Sequence, residues 1–223
     1  MPKILVLGGE FVHPTTTQFR YLAERAPDGY EFEIVEGPEA LERLPEADVF
    51  VAAGLYWTGG ETVTWTEPVP YRGPNEAQRQ ALRDYVAALK PILSLHGGIA
   101  SFYDWPEFGT LLGFAWHWDI TSHGPVQEYR VYPTGSSPLT QGVDEFRIVD
   151  ENYFNVQLVP GASYATHLKM DCGDLQLPML MTCAARNAAY LALGHDMRAV
   201  EHPAFQRLLW NTTAWLLDPN QGA

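Results

Sequence analysis

Two histidines in this chain stand where a buried strand gives way to a turn. Leu93-Ser94-Leu95-His96-Gly97-Gly98 reads as an apolar strand, one polar residue and two glycines, with helical sequence beyond. That is the layout of a nucleophile elbow: a tight turn lifts one side chain off the sheet and aims helix N–H groups at whatever binds there. Hydrolases of this design put Ser or Cys at the raised position. His96 occupies it here, which suits a general base, a proton shuttle or a metal ligand; the plain alternative is a histidine that only holds its turn. Gly194-His195-Asp196, after the apolar run 189–193, repeats the logic of strand end plus histidine. Asp150-Glu151-Asn152-Tyr153 follows a strand-like run at 146–149. A carboxylate pair beside a tyrosine can act as acid or base, or orient a histidine, although by residue type alone a solvated turn is the commoner outcome.

A fourth cluster is Trp116-His117-Trp118-Asp119, with His123 close by. Histidines and an aspartate between tryptophans fit either metal ligation or a sugar platform. No H-x-x-x-H spacing is present, so the metal signal rests on residue type alone. A divalent ion such as zinc is the candidate cofactor, with His96, His117 and His195 as candidate ligands. Trp57, Trp65, Trp105, Trp116 and Trp118 fall in or near expected loops. Rings there can stack on the apolar face of a sugar or simply pack the loops. Trp57, Tyr103, Trp105, Trp118 and Tyr153 are the candidate substrate-binding residues. Gly8-Gly9-Glu10 lacks the G-x-G-x-x-G spacing, so nucleotide binding is not supported.

These residues need a frame that gathers strand ends on one side. Residues 3–7, 31–35, 48–53, 91–95 and 189–193 read as short buried strands, and 15–25, 38–44, 75–89 and 203–216 as helices. Asn75 with Gln78 forms a capping-box pair, and Leu82, Tyr85, Val86 and Leu89 supply the apolar stripe that follows. Alternation of this kind predicts an α/β fold with a mostly parallel sheet covered by helices on both faces. Residues 114–185 are less regular; 126–132 and 146–149 read as strands of a small antiparallel extension. In such sheets ligands sit outside the carboxyl ends of the strands, so the turns after Leu7, Gly54, Leu95 and Leu193 converge on one crevice. Tyr56–Pro74 is a long aromatic, Gly/Pro-rich loop, a length more typical of lids and binding loops than of plain connections.

The 223 residues, 46% hydrophobic, are expected to form one domain. A net charge of −13 argues against nucleic acid and against anionic membrane surfaces. No stretch approaches the roughly 20 apolar residues of a membrane span. The N-terminus has no signal-peptide pattern, and two cysteines are too few for a disulfide framework. A cytoplasmic protein with reduced thiols is the expectation, and the aromatic loops make a homodimer reasonable.

The segments LSLHGGIASFYDWPEFGTLLG (93–113), SPLTQGVDEFRIVDENY (137–153), LGHD (193–196) and HPAFQRLLWNTTAWL (202–216) resemble the ThuA-like (trehalose utilisation) family of the class I glutamine amidotransferase-like superfamily. The resemblance implies a flavodoxin-like three-layer sandwich. It also implies that His96 replaces the catalytic cysteine of true amidotransferases, which argues against glutaminase chemistry. Glu151 matches the family's Asp-Glu pair and His195 its Gly-His. The family's Gly-Lys-Gly-Arg-type turn before the last strand is altered here to MTCAARNAAYLALGHD (181–196), where Arg186 is the basic residue present. The implied function is an enzyme of carbohydrate metabolism acting on a keto-sugar or glycoside, with His96, Glu151 and His195 catalytic. Its rivals are a non-catalytic carbohydrate-binding or interaction protein and a metal-dependent hydrolase.

Overall fold

Four short apolar runs and one mixed strand pair side by side because each is followed by a turn and a crossover that returns the chain to the same edge. The computed structural model describes residues 1–57 and 71–218. In chain order it has β1 (Lys3–Gly8), α1 (Thr15–Ala23), β2 (Glu31–Glu36), a 3-10 helix (Pro38–Glu46), β3 (Val49–Ala52), α2 (Glu76–Ala87), β4 (Ile92–Leu95), a 3-10 turn (His96–Ala100) and α3 (Glu107–Leu112). Then come β5 (Phe114–Ala115), β6 (Ser122–His123), β7 (Gln127–Pro133), β8 (Phe146–Asp150), β9 (Tyr153–Phe154), β10 (Gln157–Leu158), β11 (Ala165–Cys172) and β12 (Leu175–Cys183). The chain closes with β13 (Ala188–Leu191), α4 (Met197–Val200) and α5 (Pro203–Leu217).

The main sheet has nine strands in the order β2-β1-β3-β4-β13-β12-β11-β7-β8. The first five are parallel, with Val6 beside Val51, Val51 beside Leu93 and Leu93 beside Ala189. Burial on both faces explains why β1, β3, β4 and β13 are continuous apolar runs and do not alternate. Helices α1, α4 and α5 cover one face; the Pro38–Glu46 helix, α2 and α3 cover the other. The Asn75–Gln78 capping box forms as expected: each backbone N–H donates to the other's side-chain oxygen, at 2.8 and 3.0 Å. Trp210 of α5 packs against Tyr30 and Phe32.

The antiparallel part is larger than the small extension expected from sequence. It supplies four strands of the sheet, including the β11–β12 hairpin, in a stretch whose sequence lacks regular periodicity. Two further pairs, β5 with β10 and β6 with β9, lie apart from it. Helical sequence after His96 is also cut short. The 3-10 turn ends at Ala100, Phe102 has φ +53°, and α-helix resumes only at Glu107. Among the described residues, no helix is long and apolar enough to cross a membrane.

Strand order 2-1-3-4 followed by β13 puts the reversal of strand order between the parallel neighbours β1 and β3, the place where crevices form in open α/β sheets. The antiparallel strands alternate so that β8 again points its carboxyl end the same way as the parallel strands. Four places separate β8 from β13 in the sheet order, yet the end of β8 hydrogen-bonds to the end of β13. The antiparallel half must therefore curl back over the crevice. Register shifts in β11 at Thr166/Leu168 and Leu168/Lys169 provide the bends that such curling needs.

Candidate active site

His96 has φ +44°, a left-handed conformation that a side-chain-bearing residue adopts at a cost of order 1–3 kcal/mol. The elbow read from the sequence is therefore present. Its two glycines are required by close packing. A Cβ on Gly97 would stand 2.5 Å from His13 Cε1, and one on Gly98 would overlap the Ala52 carbonyl. His96 is 1% exposed, and its Nδ1 meets the Ala192 carbonyl oxygen at 2.7 Å. A carbonyl only accepts, so the proton sits on Nδ1 and Nε2 presents a bare lone pair when the ring is neutral.

Asp150 ends β8 fully buried, and it acts as a clamp. Its carboxylate accepts from the backbone N–H of Gly194 at 2.8 Å, of His195 at 3.1 Å and of Glu151 at 2.8 Å. This fixes the end of β8 to the turn after β13 and so brings Glu151 to His195. Glu151 Oε2 lies 3.5 Å from His96 Nε2 and 3.4 Å from His195 Nδ1, and the two histidine nitrogens are 3.3 Å apart. The structure therefore brings together His96, Glu151 and His195.

Two further histidines join them. His13, in the turn after β1, is 3% exposed; its ring lies edge-on to those of His96 and His195, and its Nδ1 has no partner. One donor atom from each of His13, His96, Glu151 and His195 lies within 4.8 Å of all the others, so these four could hold a metal ion. His123, at the rim, places Nδ1 2.7 Å from Glu151 Oε1 and 3.1 Å from the Gly124 carbonyl. Both neighbours accept, so Nδ1 carries the proton and Nε2 presents the lone pair whenever the ring is neutral. In the sequence, His123 stands out only as a neighbour of the tryptophans, and His13 lies beyond the Gly8-Gly9 turn with no motif around it. The signal that marks His13 is the one that marks His96: a histidine in the turn that follows a buried strand.

The charges are pushed apart. Burial, reinforced by His96 and His195, holds His13 well below the usual histidine range. Burial alone would raise the Glu151 carboxyl, but the hydrogen bond from His195 and the histidines around it outweigh burial and hold the group well below the usual carboxylate range. The hydrogen bond to Glu151 raises His195. Burial raises Asp150, opposed by the His96 charge and the three N–H donors. Burial also pushes the Tyr153 hydroxyl well up, so it stays protonated. A buried site with one strong anion, one favoured cation and the His13 imidazole held neutral beside them has the separated pKa values that acid–base sites use.

The other candidates fall at different distances from this centre. Tyr153 is nearly buried, its ring 4.6 Å from that of His96. Trp116 stands edge-on to Tyr153 and lines a groove of about 490 Å³ together with Tyr103, Trp105, His117 and Trp118. Trp57 lines a second groove of about 400 Å³ with Gly9, Glu10 and Phe11. The Trp57 and Trp118 rings stack at 4.4 Å, joining the two grooves. Trp105 is buried: its Nε1 donates to Glu107 and its ring packs on Phe108. Tyr103 is exposed and lies against Tyr71. His117 is exposed on the turn before β6 and is not among the four residues whose donors converge. Trp65 lies outside the described residues. The altered 181–192 segment pairs as the end of β12 with β13 and delivers the Ala192 carbonyl to His96; Arg186 donates to the Thr110 carbonyl.

Sheet order, crossovers and elbow together define a flavodoxin-like fold of the class I glutamine amidotransferase kind. A glutamine amidotransferase from Thermotoga maritima shares it with a TM-score of 0.54 at 12% identity, over 97% of this chain and 98% of that one. Within that class, the chain belongs to the ThuA family, described as trehalose utilisation, whose model matches residues 3–216. A ThuA-like protein from Parabacteroides merdae is similar with a TM-score of 0.75 at 16% identity, over 97% of this chain and 90% of that one. Another, from Bacteroides uniformis, gives 0.69 at 18% identity, over 96% and 91%. No curated protein matches the chain in sequence. The family's description implies a role in carbohydrate metabolism.

Proposed function

We propose that this chain is an enzyme of carbohydrate metabolism that cleaves a keto-glycoside by histidine acid–base chemistry, with His96, Glu151 and His195 at its catalytic centre. The observation that carries the proposal is the convergence of these three groups, 3.3–3.5 Å apart, at the carboxyl ends of β4, β8 and β13. A keto group acidifies the neighbouring C–H. Cleavage then needs a base for that proton, a positive group opposite the keto oxygen as charge builds there, and a proton for the departing glycosidic oxygen.

Each need has a matching group. His195, its proton held by Glu151 and its ring beside His96, supplies the positive group. His123, oriented through Nδ1 by Glu151 much as a carboxylate orients a triad histidine, offers Nε2 as base. His123 Nε2 takes the α-proton, the C–H electron pair forms the new double bond, and the glycosidic C–O bond breaks. The leaving oxygen takes its electron pair and recovers the proton from the His123 imidazolium. The products are an unsaturated keto-sugar and the free alcohol; addition of water to the double bond would make the net reaction a hydrolysis. Tyr153, Trp116, Trp118 and Trp57 supply aromatic surface against which a sugar ring can lie.

The test is turnover of a 3-keto glycoside. His96→Ala is expected to abolish it while leaving the circular dichroism spectrum unchanged, and His123→Gln to lower kcat by roughly 100-fold or more, the usual contribution of a general base. Unchanged turnover in His96→Ala would refute the assignment. Calorimetric sugar binding by the wild type, with no product from a panel of glycosides and keto-glycosides, would favour a binding protein instead.

A further inference from the structure

We propose that His13, His96, Glu151 and His195 bind one divalent first-row transition-metal ion, for which Zn²⁺ is the best-suited probe. The inference rests on geometry and not on any substrate; it deepens the functional reading by naming what, when bound, would take over the positive charge that His195 supplies.

The three tight donors form a nearly equilateral triangle: 3.3 Å from His96 Nε2 to His195 Nδ1, 3.4 Å from His195 Nδ1 to Glu151 Oε2, and 3.5 Å from Glu151 Oε2 to His96 Nε2. Donors about 2.0–2.1 Å from a tetrahedral ion stand about 3.3–3.4 Å apart, so these sides are close to one face of such a shell. Direct charge-assisted hydrogen bonds would draw the same atoms to about 2.7–2.9 Å. These contacts are longer than close ion pairs, and their spacing fits an ion seated among the three.

Proton bookkeeping agrees. His96 Nδ1 is committed to the Ala192 carbonyl, so Nε2 enters the triangle as a lone pair. The Glu151 oxygens also only accept. The triangle therefore holds at least two convergent acceptors, which is a cation's requirement. Ligating histidines commonly give their other ring N–H to a backbone carbonyl, fixing tautomer and orientation, as His96 does. Glu151 is held likewise, through Oε1 by His123 and through its backbone N–H by Asp150. His13 is the fourth donor, farther out but within 4.8 Å of the rest, and it is a buried imidazole with an orphan nitrogen among histidines. Three imidazoles and one carboxylate suit Zn²⁺ and its first-row neighbours; Mg²⁺ and Ca²⁺ prefer all-oxygen shells. A bound ion of this kind would polarise a keto oxygen.

The test uses the full chain, stripped with chelator and titrated with Zn²⁺ by calorimetry and with Co²⁺ by visible absorption. One ion per chain is expected, with the d–d bands of a nitrogen/oxygen site, while Mg²⁺ gives no heat. Glu151→Gln and His195→Gln should each weaken Zn²⁺ binding by about 100-fold or more, and His13→Gln by about tenfold. His117→Ala should bind as the wild type does. Because His96 also shapes its turn, the Glu151 and His195 variants carry the decision. Absence of a one-to-one site, or wild-type affinity in both Glu151→Gln and His195→Gln, overturns the proposal. Zn²⁺ binding without turnover of any keto-glycoside would sink the functional reading and leave the metal site; turnover undiminished in stripped protein that binds no Zn²⁺ would do the reverse.

Discussion

At the residue scale, the elbow is set by what two glycines leave room for. The nearest obstacle to a side chain at Gly97 is the His13 ring, which can rotate; at Gly98 it is the Ala52 carbonyl, part of β3. Overpacking against a movable group costs typically about 1–3 kcal/mol, and more when the backbone must give. Gly98→Ala is therefore expected to be the more destabilising in urea unfolding. Gly97→Ala is expected to keep most of its stability but lose activity, because the atom it displaces belongs to His13. Equal stability losses in the two variants would contradict this.

His13 also sets a pH dependence in the chelator-treated protein. Its folded pKa lies well below the unfolded value of about 6.5. A group lowered on folding binds fewer protons in the native state, so its contribution is fully present above the unfolded pKa and is lost as pH falls towards the folded one. Glu151, also lowered, adds loss in the same direction at more acid pH, from about 4.3 downward. His195, raised on folding, acts oppositely: its contribution is complete below about 6.5 and is lost as pH rises through its folded pKa. Unfolding free energy should thus fall as pH drops below about 6.5, and His13→Gln should flatten that slope. An unchanged slope in the variant would argue that His13 is not held neutral.

At the element scale, the clamp at Asp150 joins the two halves of the sheet. Removing its carboxylate in Asp150→Ala strands the N–H groups of Gly194, His195 and Glu151. Unsatisfied buried donors cost about 1–3 kcal/mol each, so a loss of roughly 3 kcal/mol or more is expected in denaturant unfolding. Asn75→Ala, which removes only a cap on α2, should cost about 1 kcal/mol and leave activity intact. The parallel half was legible because each strand ends in a turn and a crossover. The β11–β12 hairpin was not, and Pro178 shows why. A proline reads as a bar to a sheet interior, yet here it precedes Leu180–Cys183, the stretch over which β12 has β13 on its other side. Its missing N–H therefore falls before the strand becomes central. Curling of the antiparallel half was equally hidden, since it depends on register shifts in β11 and on a hydrogen bond between residues 150 and 194.

At the scale of the whole molecule, the site gathers one residue from each of four chain segments between positions 13 and 195. His96 and His195 were legible because each follows an apolar strand, a local pattern. Glu151 was ambiguous locally and was matched by family resemblance; its burial depends on tertiary contacts, the clamp to the turn after β13 and the histidines around it. His13 had a local signal but no glycine motif to draw attention to it. An ion bound by all four would tie the turn after β1, the elbow, the end of β8 and the turn after β13 together. Ligand binding to the native state alone stabilises by RT ln(1 + [L]/Kd), about 2.7 kcal/mol at a free concentration 100-fold above Kd. For a chain of this length each kcal/mol moves Tm by roughly 2–4 °C, so Zn²⁺ should raise it by roughly 5–10 °C. Since the four donors come from both halves of the sheet, unfolding should remain one transition that shifts as a whole. Glu151→Gln should show no such shift at the same Zn²⁺ concentration. A rise confined to a second, separate transition would mean that the ion binds one half of the sheet without bridging to the other.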